Sequence, residues 1–279
     1  MRILSSAVMF AAMLACGPEM SSAQVSAPAS LQMAVSSPAR STANRARDTY
    51  RHPAETLAFF GVKPGDTVVE MWPGGGWYTE ILAPYLKNGG GSLYALAPES
   101  GLAGVRKLIA DKPDAYGSVR AIPFVTDAAG PLGIAPGSVD VVLTFRNVHN
   151  WLAGEKPIAA DVFRQIFLVL KPGGILGVED HRLPESADSA RERDSGYLKT
   201  STVRALAEAA GFRLVSTSEV NANPKDTADW PGGVWTLPPT LKNGAVDRDK
   251  YLAIGESDRM TLKFVKPPNR DERLPPWRG

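Results

Sequence analysis

The sequence predicts an α/β protein built on a doubly wound, mostly parallel, seven-stranded sheet. Short β-branched runs alternate with helical stretches from residue 66 onward, the order that gives a parallel sheet covered on both faces. Three glycines, Gly74, Gly75 and Gly76, directly follow the first run, at the strand ends where such sheets take ligands. The composition is that of a globular chain large enough for an ordinary core, with 279 residues, 44% hydrophobic and 22% charged.

Each element has its own signal. Residues 66–71 follow Pro64-Gly65 and read as a buried strand. Residues 77–86 read as a helix disturbed at Pro84. Residues 92–97 give the second strand, 102–110 the second helix, 119–125 the third strand and 139–145 the fourth. Ile158, Val162, Phe163, Ile166, Phe167 and Leu170 recur at helical spacing and give the next helix one apolar face. Pro172-Gly173-Gly174 ends it, and 175–179 is the fifth strand. Residues 202–210 form a helix stopped by Gly211. Residues 212–219 and 260–265 are the last two strands. Between them, residues 221–258 form a long insert, the kind of segment that serves as a lid.

The amino terminus reads as an address. Met1-Arg2 is followed by an apolar stretch and by Ser21-Ser22-Ala23, the layout of a secretory signal peptide over residues 1–23. Export to the periplasm or outside the cell follows, and removal of Cys16 leaves a mature chain without cysteine. Met13-Leu14-Ala15-Cys16 also loosely resembles a lipobox, so a lipid anchor at Cys16 ranks second to simple cleavage. Residues 24–47, rich in Ser, Ala and Pro without periodicity, read as a flexible linker. The folded domain then spans 48–267, with 268–279 a tail. No apolar run is long enough for a transmembrane helix. Lys and Arg total 31 against 29 Asp and Glu, which leaves no basic excess for a nucleic-acid partner. Oligomeric state is not legible.

The residues after the first strand carry a resemblance. Glu70, Trp72, Gly74 and Gly76 stand at alternate positions, similar to the acidic-x-Gly-x-Gly-x-Gly motif of class I S-adenosylmethionine (SAM)-dependent methyltransferases, which have a Rossmann-like fold. Thr126-Asp127-Ala128, Ser138-Val139-Asp140 and Lys171-Pro172-Gly173-Gly174 resemble that family's later turns. Arg51-His52-Pro53 and the stretch from Trp72 to Thr79 resemble a narrower group of exported, predicted methyltransferases. The resemblance implies an antiparallel last strand and SAM as cofactor. It implies that Glu70 orients the loop and the amino end of the cofactor, that Gly74, Gly75 and Gly76 let the methionine moiety pass, and that Asp127 meets the adenine. It also implies that residues 146–151, Asn147 among them, lie beside the transferable methyl. Two positions depart from the pattern. Trp72 replaces the first glycine, and Ala97 stands where an acid would hold the ribose, with Glu99 two residues on as the nearest substitute.

Methyl transfer needs alignment, and a base only when the acceptor must lose a proton. His149 follows the fourth strand and His181 the fifth, so both are candidate catalytic bases on the ligand side. His149, His181 and Asp180 allow a metal site on paper, but no metal-spacing motif supports one, and none is expected. Trp72, Trp77, Trp151, Trp230 and Trp235 all fall in loops at one sheet edge, suited to a flat apolar ligand. The expected function is SAM-dependent methyl transfer to a small molecule, aromatic acceptors being one candidate class. The alternative is an exported, non-catalytic binding protein that retains the fold. A nicotinamide-dependent enzyme is disfavoured by Ala97 and by the Lys171-Pro172-Gly173-Gly174 turn.

Overall fold

The computed structural model describes residues 27–124 and 132–268. The chain opens with α1 (Ala29–Val35), α2 (Thr42–Arg45), α3 (Asp48–Arg51) and α4 (Pro53–Phe60). Then come β1 (Thr67–Met71), α5 (Thr79–Asn88), β2 (Ser92–Ala97), α6 (Ala103–Asp111), α7 (Pro113–Tyr116) and β3 (Arg120–Pro123). The second half runs β4 (Val139–Phe145), α8 (Val148–Leu152), α9 (Ala159–Val169), β5 (Leu170–Leu183), β6 (Leu198–Lys199) and α10 (Thr200–Ala209). It ends with β7 (Arg213–Ser218), α11 (Arg248–Ile254) and β8 (Arg259–Val265). No helix of the described residues is long and apolar enough to cross a membrane.

The strands lie in the order β3-β2-β1-β4-β5-β8-β7. The first five on this path pair in parallel, and β8 runs antiparallel to both β5 and β7. The sheet is therefore doubly wound, and strand order reverses between β1 and β4. Seven strands lie on the path. The eighth, β6, is only two residues long and pairs with the far end of β5, too short to leave a periodic signal. β5 begins earlier than its apolar run because the Lys171-Pro172-Gly173-Gly174 turn lies inside it as a bulge. Val139 pairs with Leu170 and Val141 with Ile175, so the four turn residues stand opposite Asp140 alone. Lys171 Nζ closes the bulge on Asp140 Oδ1 at 2.6 Å.

Alternate residues of each strand feed two cores. Val69, Met71, Val142 and Val178 pack against Val162, Phe163 and Ile166 of α9 on one face. Val68, Val141, Leu143 and Phe145 pack against Leu57 of α4 and Ile81 and Leu82 of α5 on the other. Pro84 sits inside α5 without ending it; the helix is held by a buried face that includes Leu82, Tyr85 and Leu86.

The reading of residues 24–47 as a linker is corrected for the part described. Leu31 and Ala34, three apart on α1, are buried in the second core. Ser41 accepts the Asn44 N–H at 3.2 Å and caps α2. Arg40 forms a two-point ion pair with Asp48 at 2.7 and 2.9 Å, and the Ser41 N–H reaches Glu80 of α5 at 3.1 Å. A few buried contacts and one cap dock a segment whose composition alone suggests a free chain. The signal peptide, Cys16, most of the tail and Asp127 fall outside the described residues.

Candidate active site

A cavity of about 360 Å³ opens at the carboxyl ends of β1 and β4, the switch point where doubly wound sheets take ligands. Three walls form it. The first is the loop from Glu70 to Trp77 after β1, the second Phe145 to Asn150 after β4 together with His181, and the third Val234 to Thr240 of the long insert. Asn44, Arg47 and Arg51, from the short helices before β1, complete it.

The glycine loop is open where a ligand would need it. A Cβ on Gly74 or Gly75 would meet nothing within 4 Å. Gly74 and Gly76 have φ of 58° and 83°, in the left-handed region that side chains rarely adopt. The loop is braced from behind by Gly104 of α6, whose hydrogen points at it: a Cβ there would lie 2.7 Å from the Gly74 carbonyl oxygen. That packing role of Gly104 was not legible beforehand, since only the folded chain brings α6 to the loop.

Trp72 takes a left-handed backbone, φ 48°, as the glycine it replaces would do more easily. Its N–H donates to the Leu96 carbonyl at 2.6 Å, and its ring meets buried Trp151 edge-on at 6.1 Å. The indole thus lines the cavity, while the backbone N–H ties the loop to the sheet. Glu70 is fully buried, and burial pushes its carboxyl up to about 7, although Thr79 Oγ1 donates to it at 2.6 Å. Asn147 lines the cavity, but its amide nitrogen is spent on the loop, donating to the carbonyls of Met71 at 2.9 Å and Trp72 at 3.3 Å. It fixes one wall to another.

The two histidines sit side by side, ring centres 5.1 Å apart. Asp180, with no exposed surface, organises both. Its carboxylate accepts the His149 Nδ1–H at 2.8 Å, the His149 backbone N–H at 3.2 Å and the His181 backbone N–H at 2.8 Å. A carboxylate only accepts, so Nδ1 of His149 holds a proton, and in the neutral ring it is Nε2 that carries the lone pair. Both rings line the cavity. His181 Nδ1 bonds Ser257 Oγ at 2.5 Å. Burial, with repulsion from Arg146, Arg259 and Arg51 added, holds His181 well below its usual range. Of the two, His149 has the arrangement of an oriented base. His149, Asp180 and His181 also offer ligand atoms all within 4.8 Å of one another, but the three are already tied together by hydrogen bonds.

Other candidates are placed elsewhere. Glu99 lies in an exposed turn after β2 and pairs with Arg106 through both carboxylate oxygens. It does not line the cavity, and Ala97 beside it is buried. Trp77 and Trp235 line the cavity with Trp72, whereas Trp151 is core and Trp230 packs on Tyr251 and Asp226. The arginines were the residues missed. Glu256, buried before β8, takes Arg47 at 2.7 Å and Arg51 at 3.0 Å, with Arg259 at 3.4 Å. Burial alone would raise its carboxyl, but Arg51, Arg259 and Arg47 outweigh that and bring it down to about 2.

No family model matches the sequence, and comparison with curated proteins finds no relative. Solved structures share the fold. A SAM-dependent methyltransferase from Aquifex aeolicus superposes with a TM-score of 0.55 at 16% identity, over 79% of this chain and 93% of its own. Phosphoethanolamine N-methyltransferase 2 of Haemonchus contortus, in complex with S-adenosyl-L-methionine, gives 0.51 at 16% identity over 78% and 53%. The [4+2]-cyclase SpnF gives 0.57 at 15% identity over 84% and 86%. The chain therefore has the mixed α/β fold of the class I methyltransferases, and one neighbour with that fold is described as a cyclase. Fold alone leaves the reaction to be argued from the site.

Proposed function

We propose that the protein transfers a methyl group from SAM to a small molecule held under the insert. The carrying observation is that His149, oriented by Asp180, and the open backbone of Gly74 and Gly75 line the same cavity. SAM, when bound, supplies a methyl made electrophilic by its sulfonium. The residues then have distinct work. Gly74 and Gly75 give the close backbone approach that the amino-acid end requires. Trp235, Pro238 and Pro239 cover the acceptor and exclude water. His149 Nε2 takes the acceptor proton as the methyl arrives, and Asp180 stabilises the imidazolium that results. The rings of Trp72, Trp77 and Trp235 favour a flat acceptor. The amino-terminal pattern supports a protein working outside the cytoplasm.

The test starts from calorimetric titration of the purified chain with SAM and S-adenosylhomocysteine, followed by a labelled-methyl screen of aromatic acceptors. Binding near micromolar and transfer that falls about a hundredfold or more in Asp180→Asn support the reading. Transfer unchanged in Asp180→Asn removes His149 as the base.

A second reading has its own observation. The end of β2 offers no free carboxylate, because Glu99 is held by Arg106 and Ala97 replaces the acid. A non-catalytic ligand-binding protein with this fold would look the same. An absence of heat and of thermal shift with millimolar SAM selects it.

A further inference from the structure

We infer that the methyl acceptor is an anion, and that its carboxylate or phosphate group is received by Arg51 and Arg146 at the cavity wall. The inference rests on the methyl-transfer reading for the word acceptor, but the anion site stands on its own observations.

Four guanidinium groups gather here, from Arg47, Arg51, Arg146 and Arg259. Two carboxylates answer them. Glu256 is shared among Arg47, Arg51 and Arg259, and Glu179 meets Arg259 at 3.0 Å and the Tyr78 hydroxyl at 3.2 Å. Arg146, just after β4 with a left-handed backbone, makes no side-chain hydrogen bond or close ion pair among the described residues, although Glu179 and Glu256 attract it from further off, and it lines the cavity. Arg51 is 1% exposed, yet both its terminal nitrogens lack hydrogen-bond partners, as does one of Arg47. The Arg51 guanidinium lies over Trp77, 4.7 Å from the ring centre, so its plane is held in place. Burial, then repulsion from Arg146, lowers Arg51 to about 9. The other acids near the site compensate only in part. Burial pushes the Glu70 carboxyl up to about 7, and Asp180 is turned to His149 and His181 rather than to the arginines. Buried guanidinium donors without partners, in a site that keeps a surplus of positive charge, call for an anion from outside.

The cofactor as a whole does not relieve the surplus. SAM carries one carboxylate against an ammonium and a sulfonium, so it brings a net positive charge into the site. A second molecule with a negative group does relieve it. A guanidinium pair is suited to the planar geometry of a carboxylate or to phosphate oxygens. The same group would fix one end of the acceptor, leaving the other toward His149.

Benzoate and its neutral isostere benzamide are the probes, titrated into the full chain by calorimetry and thermal shift, first without cofactor. Benzoate should bind and benzamide should not, and Arg146→Met should weaken benzoate about tenfold or more. That variant removes one charge from a surplus, so its own melting temperature should not fall, which separates lost binding from lost folding. Equal binding of the two probes, or benzoate binding untouched by Arg146→Met, overturns the proposal. S-adenosylhomocysteine then tells the sources apart. If it binds alongside benzoate, the anion site belongs to the acceptor; if it displaces benzoate from Arg146, the site holds the cofactor's own carboxylate and the proposal fails. Should S-adenosylhomocysteine not bind at all while benzoate still depends on Arg146, the methyl-transfer reading falls and the anion site remains.

Discussion

Replacing Glu256 by Gln keeps the shape of the side chain and removes the charge that three arginines share. The folded carboxyl sits at about 2 against an ordinary value of 4.5. At about 1.4 kcal/mol per unit, that depression contributes about 3 kcal/mol of stability near neutral pH. The side chain is 4% exposed, so solvent screening does not erode the figure much. Because the folded value is lowered, the contribution is full above about pH 4.5 and is lost as pH falls through about 2. Urea denaturation of wild type and Glu256→Gln should therefore show a gap of about 3 kcal/mol near neutrality that closes on acidification. Unpaired Arg51 and Arg259 act in the same direction as the lost carboxylate. A gap that stays constant from neutral to acid pH would refute the charge argument and leave only a packing change. No gap at all would mean that the arginines find other partners.

Two further perturbations separate packing from function. Gly104→Ala places a methyl 2.7 Å from the Gly74 carbonyl oxygen and 3.0 Å from Gly75 Cα; a loss of about 1–3 kcal/mol is expected in thermal melts. Gly75→Ala meets nothing within 4 Å and should leave stability unchanged while weakening S-adenosylhomocysteine in calorimetry. Similar melting losses in both variants would contradict the view that Gly75 is open for a ligand and Gly104 for packing. Leu31→Ala, at a site with no exposed surface, should cost about 2–5 kcal/mol. An unmoved urea midpoint would mean that residues 29–35 do not belong to the core.

The strands were legible where burial writes itself into composition. The bounds of β2 and β4 follow from runs of apolar residues buried on both faces, 92–97 and 139–145. The side on which the cavity opens was legible too, because the glycines and His149 come soon after β1 and β4, whereas His181 lies inside β5, which runs past its expected end at 179 to Leu183. What escaped has a common cause. α1 has only two buried residues, Leu31 and Ala34, too few to show a period. Arg47 closes the stretch that reads as a linker and Arg51 follows four residues on, and nothing local says that Glu256, 209 and 205 residues away, will receive them. Glu99 was the nearest acid in sequence to the vacant ribose position, but Arg106 of the neighbouring helix takes it first. Asn147 lines the cavity, while its partner, the loop backbone of Met71 and Trp72, is set by strand order and not by spacing.

The chain's near-neutral charge conceals where its charge is concentrated. A surplus of two over the whole sequence gives no hint of a ligand, yet four guanidinium groups gather at and behind a single cavity. Charges spread on a surface are screened within about a Debye length; charges behind Trp77 and beneath the insert are not. The arginines also tie the amino-terminal helices to the turn before β8, so the groups that line the cavity are the groups that close the fold. Such a site is least stable when empty. An anion that pairs Arg51 and Arg146 would remove repulsion as well as form bonds, and its binding should stabilise the whole chain rather than the loop it touches. That coupling explains why a fold would keep buried guanidinium nitrogens without partners: the free energy they cost in the empty protein is recovered when the matching ligand arrives.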